Sequence, residues 1–232
     1  MRETMTVVQA DGVVAPEASS ALALDVVCLA ACDSIAVESG TKDELWFVFE
    51  GGGRIDAEAL AVGSAALVPA GETASVEAGE EGLAAVRATI GPDVDRHAPM
   101  GTPERVVSIE HVEPGKATGS RSFQVLFGPT NGSTRATMFV GYVPPGKAPW
   151  HYHLYDEIVW IWRGPGRYHI GETAEELPNG AAFRIRPRQV HIVENLSDDR
   201  ELAVVGIFTP AGSPSAAYLT AEVAESYAMA AR

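Results

Sequence analysis

HYHLYDEIVWIWRGPG, residues 151–166, is the stretch on which the reading of this chain turns. A β-strand returns to the same face every second residue, so His151 and His153 share a face, and Glu157 has the same parity. Residues 43–52 read DELWFVFEGG, with the same Asp-Glu pair and the same apolar run. Gly51 follows Glu44 at the interval at which Gly164 follows Glu157. No histidine precedes the upstream copy, because the first in the chain is His97.

A second pair of segments extends the match. GSAALVPAGETASVEA (residues 63–78) lies over GAAFRIRPRQVHIVEN (residues 180–195), with Pro69 near Pro187 and ASVEA over HIVEN. In this register His151 corresponds to Glu38, His153 to Gly40 and His191 to Ala74. Of the four polar residues of the second copy only the glutamate persists, as Glu44. The chain reads as a tandem repeat with one copy stripped.

The rest of the composition narrows the function classes. A chain of 232 residues can bury an adequate core as one large or two small domains. Its 31 acidic against 17 basic residues argue against nucleic acid, which needs clustered Lys and Arg. The first residues, MRETMTVVQADGVV, lack a basic-then-apolar signal pattern, and no apolar run is long enough for a bilayer. The expectation is a cytoplasmic protein without membrane contact. Cys28 and Cys32 have no Cys or His neighbours in sequence and read as free thiols.

Most of the chain reads as short strands rich in Val, Ile and aromatics, bounded by Gly and Pro. Examples are SIAVESG, ELWFVFEGG, AALVPAGE, TMFVGYVPPG, EIVWIWRGPG, FRIRPRQ and LAVVGIFTPAG. That spacing predicts an all-β barrel or sandwich. Helix is credible only in the short DAEALAV (56–62) and in the C-terminal SAAYLTAEVAESYAMAAR (215–232). Residues 91–106, rich in Pro, Gly and charge, read as a linker. The expected organisation is an N-terminal barrel over residues 1–95, a linker over 96–118 and a C-terminal barrel with a terminal helix over 119–232.

His151, His153 and Glu157 on one strand, with His191 arriving from another, offer three imidazoles and a carboxylate. This mixed donor set suits a divalent transition metal, iron or manganese first and nickel, cobalt or zinc as alternatives. Such a site can leave a coordination position open to water, substrate or dioxygen. His97 and His111 have no such context, and His169 is a candidate only for the pocket.

These segments resemble the cupin motifs. GKAPWHYHLYDEIVWIWRG (146–164) is similar to the first motif, Gly, His-x-His, Glu, Gly, with one residue fewer between Gly146 and His151. GAAFRIRPRQVHIVEN is similar to the second motif, Gly, Pro, His, Asn, with Gln189 where glycine is usual. GSAALVPAGETA has the second motif's spacing, with Ala74 at the histidine position. Covering roughly residues 25–90 and 120–212, the resemblance implies a bicupin: two tandem jelly-roll barrels with one metal in the C-terminal one.

Strand parity carries the reading further. Trp46 shares the inward face with Glu44 and is expected to fill the N-terminal barrel. In the second copy Val159 and Ile161 face inward with Glu157. Ile158, Trp160 and Trp162 face outward, to pack on the other barrel or on another subunit, and a homodimer is expected. Arg184 and Arg186 either clamp a substrate carboxylate or lie on the surface, the second reading being preferred. Tyr152, Tyr155, Gln124 and Tyr142 are candidate pocket residues. Nucleophile elbows, phosphate loops and dinucleotide fingerprints are absent. The implied function is a metal-dependent enzyme acting on a small organic molecule, with dioxygenase chemistry first. Isomerase or decarboxylase chemistry, or a metal-containing protein that only binds a small ligand, are the alternatives.

Overall fold

A computed structural model describes residues 21–117 and 120–219. The first half forms seven strands: β1 (Leu22–Leu29), β2 (Ser34–Glu38), β3 (Asp43–Ile55), β4 (Glu58–Ala61), β5 (Ser64–Val68), β6 (Thr73–Ile90) and β7 (Val106–Ser108). They make one antiparallel sheet ordered β1-β6-β3-β5-β7, with β2 also on β6 and β4 on β3. Residues Thr73–Ile90 run as one long strand, β6. Its partner β3 is broken by register shifts at Val48/Glu50 and Gly51/Gly53. Such bulges bend a strand pair and let one long sheet coil over itself. Glycine is required there, since a Cβ on Gly53 would stand 2.0 Å from the carbonyl oxygen of Glu77.

A 3₁₀ turn at Ile109–His111 precedes the second half. Its strands are β8 (Gly115–Lys116), β9 (Ser122–Phe127), β10 (Thr137–Val143), β11 (Gly146–Lys147), β12 (His151–Tyr152) and β13 (Asp156–Arg163). They continue with β14 (Gly166–Ile170), β15 (Thr173–Leu177), β16 (Ala182–Ile185), β17 (Ile192–Asn195), β18 (Leu202–Thr209) and β19 (Tyr218–Leu219). A six-stranded sheet, β16-β13-β18-β10-β9-β8, faces a four-stranded one, β11-β17-β14-β15, and β12 pairs with β19. The fold is all-β, two tandem antiparallel barrels.

Both expected helices need comment. Residues 58–61 are a strand, hairpin-paired to β3, because a partner edge was within reach of so short a segment. Of the C-terminal stretch, Tyr218–Leu219 form β19, and the expected helix beyond it lies outside the described residues. Within the stretch read as linker, residues 106–108 pair with β5.

Alternation along β3 and β13 sorts their side chains into separate cores. Trp46 is almost fully buried inside the first barrel, among Val37, Val48, Ile55, Leu60, Val68, Ala74 and Val76. Its indole N–H donates to Glu44 (3.2 Å), and the Arg87 guanidinium lies over the ring and 3.8 Å from the same carboxylate. Glu44 is therefore engaged by its neighbours. In the second barrel Val159 and Ile161 pack inward with Tyr168, Phe183, Ile185 and Val204.

The opposite faces of the same strands meet each other. Leu45 and Phe47 join Ile158, Trp160, Met138 and Ile207 in one apolar core between the halves. Phe47 meets Trp162 edge-on at 5.0 Å, and Phe49 meets Trp160 at 4.9 Å. Of the two outcomes expected for the outward tryptophans, packing on the other barrel is the one found, so they no longer argue for a second subunit. At one margin of this core Arg135 reaches across to Asp43 Oδ1 (3.0 Å) and to the Thr41 carbonyl (3.1 Å). Both residues are buried.

Candidate metal centre

Backbone pairing assembles the four residues singled out from the sequence. His151 and His191 face each other across an antiparallel bridge, each amide donating to the other's carbonyl at 3.2 and 2.9 Å. The amide of Arg188 donates to the His153 carbonyl (2.7 Å), a further bond between the two segments, two residues on from His151 and three back from His191. Residues directly opposite in an antiparallel pair share a face. The imidazoles of 151, 153 and 191 therefore all point inward, with the His191 ring 4.4 Å from that of His151 and 5.1 Å from that of His153. Glu157 enters from β13, and all four side chains are buried. Its carboxylate fits because β18 carries Gly206, opposite Val159, where a Cβ would meet the Phe139 ring at 2.3 Å and Glu157 Oε1 at 2.8 Å.

Hydrogen bonds set the tautomer of every histidine. Nδ1 of His151 meets the Pro149 carbonyl (2.8 Å), that of His153 the Tyr155 carbonyl (3.0 Å) and that of His191 the Gln189 carbonyl (2.9 Å). A carbonyl only accepts, so each Nδ1 carries the proton and each Nε2 is left with a lone pair. Imidazoles that bind metals are typically held in this way. Nε2 of His153 is buried and has no hydrogen-bond partner, although Glu157 Oε2 stands 2.9 Å away. Two acceptors at that distance call for a cation or a proton between them. These donors are of the kind that suits a divalent metal, although among the described residues no group of three or more His, Cys, Asp or Glu is placed so that it could hold a metal ion.

Burial keeps the His151 and His191 rings neutral. The His151 imidazole is pushed down to about 4, by desolvation first and by the neighbouring Arg121 charge second. His191 lies well below the ordinary histidine value, through desolvation and then the two other imidazoles. The sign of the linkage follows: both folded-state values lie below the unfolded value near 6.5, so acid favours the unfolded chain. In metal-stripped protein this contribution to stability is complete above about pH 6.5 and is lost as pH falls towards 4. Urea midpoints of the stripped protein should therefore drop between pH 7.5 and 5. A flat profile would mean that these imidazoles are not desolvated.

The four residues line a cavity of about 90 Å³, room for several waters or one small molecule. Arg121, Phe123, Phe139, Tyr142, Tyr155 and Val159 share its wall, to which Pro214 and Ala217 also contribute. Tyr155 is stacked between the His153 ring (4.0 Å) and the Phe208 ring (3.9 Å). Burial first, and the Glu157 charge second, raise its phenol above the usual range, so it stays a neutral O–H. Arg121 brings a guanidinium N–H group to 3.5 Å from His151 Nε2.

The other candidates lie elsewhere. Arg184 makes a two-pronged ion pair with Asp156 on the outer side of β13, away from the cavity lining. Arg186 is exposed. The carboxylate clamp is therefore not formed by this pair, because Phe183 and Ile185 take the inward positions. His169 contacts Glu194 (2.7 Å) outside the cavity lining. Tyr152 stacks on Tyr218 (5.4 Å), on the face opposite the histidines. Gln124 donates to the Ile109 and Val112 carbonyls and accepts from Tyr142. Of the pocket candidates, Tyr142 and Tyr155 line the cavity. Asn195, the last position of the second motif, is structural, its amide donating to the Val143 and Arg200 carbonyls. Arg121 was missed by the sequence reading. Its one signal is alternation with Phe123 at the start of β9, a strand not expected from the sequence.

Comparison with known proteins bears on the fold. The cupin domain model matches residues 138–208. A Bacillus subtilis oxalate decarboxylase structure superposes with a TM-score of 0.69 at 15% identity, over 84% of this chain and 70% of that one. Lactobacillus farciminis oxalate decarboxylase in a formate complex gives 0.74 at 13% identity, over 96% and 88%. A further B. subtilis oxalate decarboxylase structure, from work on its Mn(II) centres, gives 0.67 at 16% identity, over 84% and 70%. At these identities the likeness is one of fold. No curated protein sequence matches the chain significantly. Among the described residues no helix is long and apolar enough to cross a membrane. The match to the cupin domain model at residues 138–208 falls within an all-β fold of two tandem barrels.

Proposed function

We propose that the C-terminal barrel holds one divalent transition metal on His151, His153, Glu157 and His191, and that the protein is a metal-dependent enzyme acting on a small carboxylate. The observation that carries this reading is the convergence of three Nε2 lone pairs and a carboxylate on one cavity whose wall includes the Arg121 guanidinium. Iron or manganese suits the donor set, and manganese is named for a structural neighbour. When bound, the metal supplies Lewis-acid polarisation of an oxygen ligand.

The chain's own residues supply the rest. Arg121 pairs with a substrate carboxylate through charge-assisted hydrogen bonds and fixes its orientation. Tyr155, kept neutral, donates its O–H to an oxygen of the same ligand. Phe123, Phe139 and Val159 exclude water from the reacting end and strengthen both interactions. The N-terminal barrel, stripped of ligands and filled by Trp46, acts as scaffold for its twin. Decarboxylation moves ahead of dioxygenase chemistry in this reading, because an anchored carboxylate lies at the centre and the similar folds belong to oxalate decarboxylases.

The test is CO₂ release and oxygen uptake by Mn(II)- and Fe(II)-loaded protein on oxalate and other two- to four-carbon carboxylates. CO₂ without net oxygen consumption is expected. Arg121→Ala should raise KM about 10–100-fold, the loss of hydrogen bonds to a charged group, with partial recovery in Arg121→Lys. Stoichiometric oxygen uptake would restore the dioxygenase reading. Saturable binding without turnover would identify a ligand-binding protein.

A further inference from the structure

The strands that carry the histidines have a second face. Where His151, His153 and His191 point inward, the alternate residues Tyr152, Leu154 and Val190 point outward. Tyr218, directly opposite Tyr152 in the β12–β19 pair, joins them. Among the described residues five large apolar side chains are exposed, and three of them lie here: Leu154 (50%), Val190 (38%) and Tyr218 (47%). Half-buried Tyr152 connects them through its stack on Tyr218. An apolar strip of this kind, on the back of a functional site, marks a contact surface.

Its rim is basic. Arg186 and Arg188 are exposed beside Val190, and the Arg188 amide is bonded to the carbonyl of His153, next to Leu154. In a chain with a net charge of −14 this juxtaposition of two cations and an apolar strip selects an acidic, amphipathic partner. Residues 220–232, TAEVAESYAMAAR, continue directly from Leu219, one residue beyond Tyr218 at the edge of the strip. They carry Val223, Tyr227 and Met229 as apolar anchors and Glu222 and Glu225 as acids.

We propose that residues 220–232 dock on this strip within the same chain, the apolar anchors on Leu154, Val190 and Tyr218 and the glutamates toward Arg186 and Arg188. The consequence reaches the cavity. Pro214 and Ala217, which line it, lie on the segment leading to β19, and β19 is held to β12 by a two-residue pairing and the tyrosine stack. Docking beyond Leu219 would anchor that segment from its far end and keep the cavity wall in place. Being tethered, the segment needs only modest intrinsic affinity, since its effective concentration at the strip is in the millimolar range or above (~mM).

Hydrogen–deuterium exchange on three proteins tests the proposal: the full chain, a chain ending at Leu219, and full-length Val223→Asp/Tyr227→Asp. Amides of residues 151–155, 188–191 and 218–219 should exchange at least ~10-fold faster in both altered proteins, as expected when a covering element worth at least ~1.4 kcal/mol is lost. Light scattering should show the same mass for all three, and β10 and β13 should stay protected as evidence of folding. Equal exchange in the full chain and the double variant would overturn the proposal. So would protection that disappears on dilution together with a dimer, which would make a second copy the occupant.

Discussion

His191→Ala should lower the metal carried by this protein from about one ion per chain to less than a tenth of that. The ring supplies one of four donors, and its loss leaves His151 without the neighbour that faces it across the bridge. Removing even an outer-shell partner of a metal ligand typically costs about 10–100-fold in affinity, so loss of the ligand itself should cost at least the upper end of that range. The measurement is elemental analysis of protein purified without an affinity tag or added metal. His111→Ala, an exposed position, is the control that should change nothing. Ala74→His, which restores the missing histidine of the first copy, should create no second site. Position 74 lies in the apolar cluster around Trp46, and Glu44 is engaged by Trp46 and Arg87. Equal metal in His191→Ala and wild-type protein, or two ions per chain in Ala74→His, would sink the assignment.

The second large effect is expected at the junction between the halves. Asp43→Ala removes the only carboxylate among the described partners of the buried Arg135 guanidinium, leaving it the Thr41 carbonyl. Arg135 already has one buried nitrogen, Nε, without a hydrogen bond. Breaking a buried pair from one side costs about 3–5 kcal/mol, because the remaining charge stays desolvated and unpaired. Asp43→Ala/Arg135→Met, which removes both charges, should recover most of the loss. Urea denaturation of both variants decides the point. A loss below ~1 kcal/mol in Asp43→Ala would mean that water reaches Arg135.

Much of this molecule is written locally in its sequence. Period-two alternation in β3 and β13 placed Trp46 inside the first barrel and sent Trp160 and Trp162 to the opposite face, because a pleated strand can do nothing else with its side chains. The same rule put His151 and His153 side by side and brought His191 to them from another strand. The strands that escaped notice, β9 and β15 among them, are short or mix polar and apolar residues, and gain their identity from the neighbours they pair with.

What the tertiary structure alone decided is which outward face meets which, and what lies beside the histidines. Phe47 on Trp162 and Arg135 on Asp43 depend on how two barrels turn toward each other, which no local period encodes. Arg121 is remote in sequence from every histidine of the site, and only the closure of β9 onto β10 carries its side chain to His151. Arg184 had the better sequence claim to that role, yet β16 turned Phe183 and Ile185 inward, and Asp156 took the guanidinium. Alternation determines that two faces exist; the burial of the larger apolar set determines which one becomes the interior.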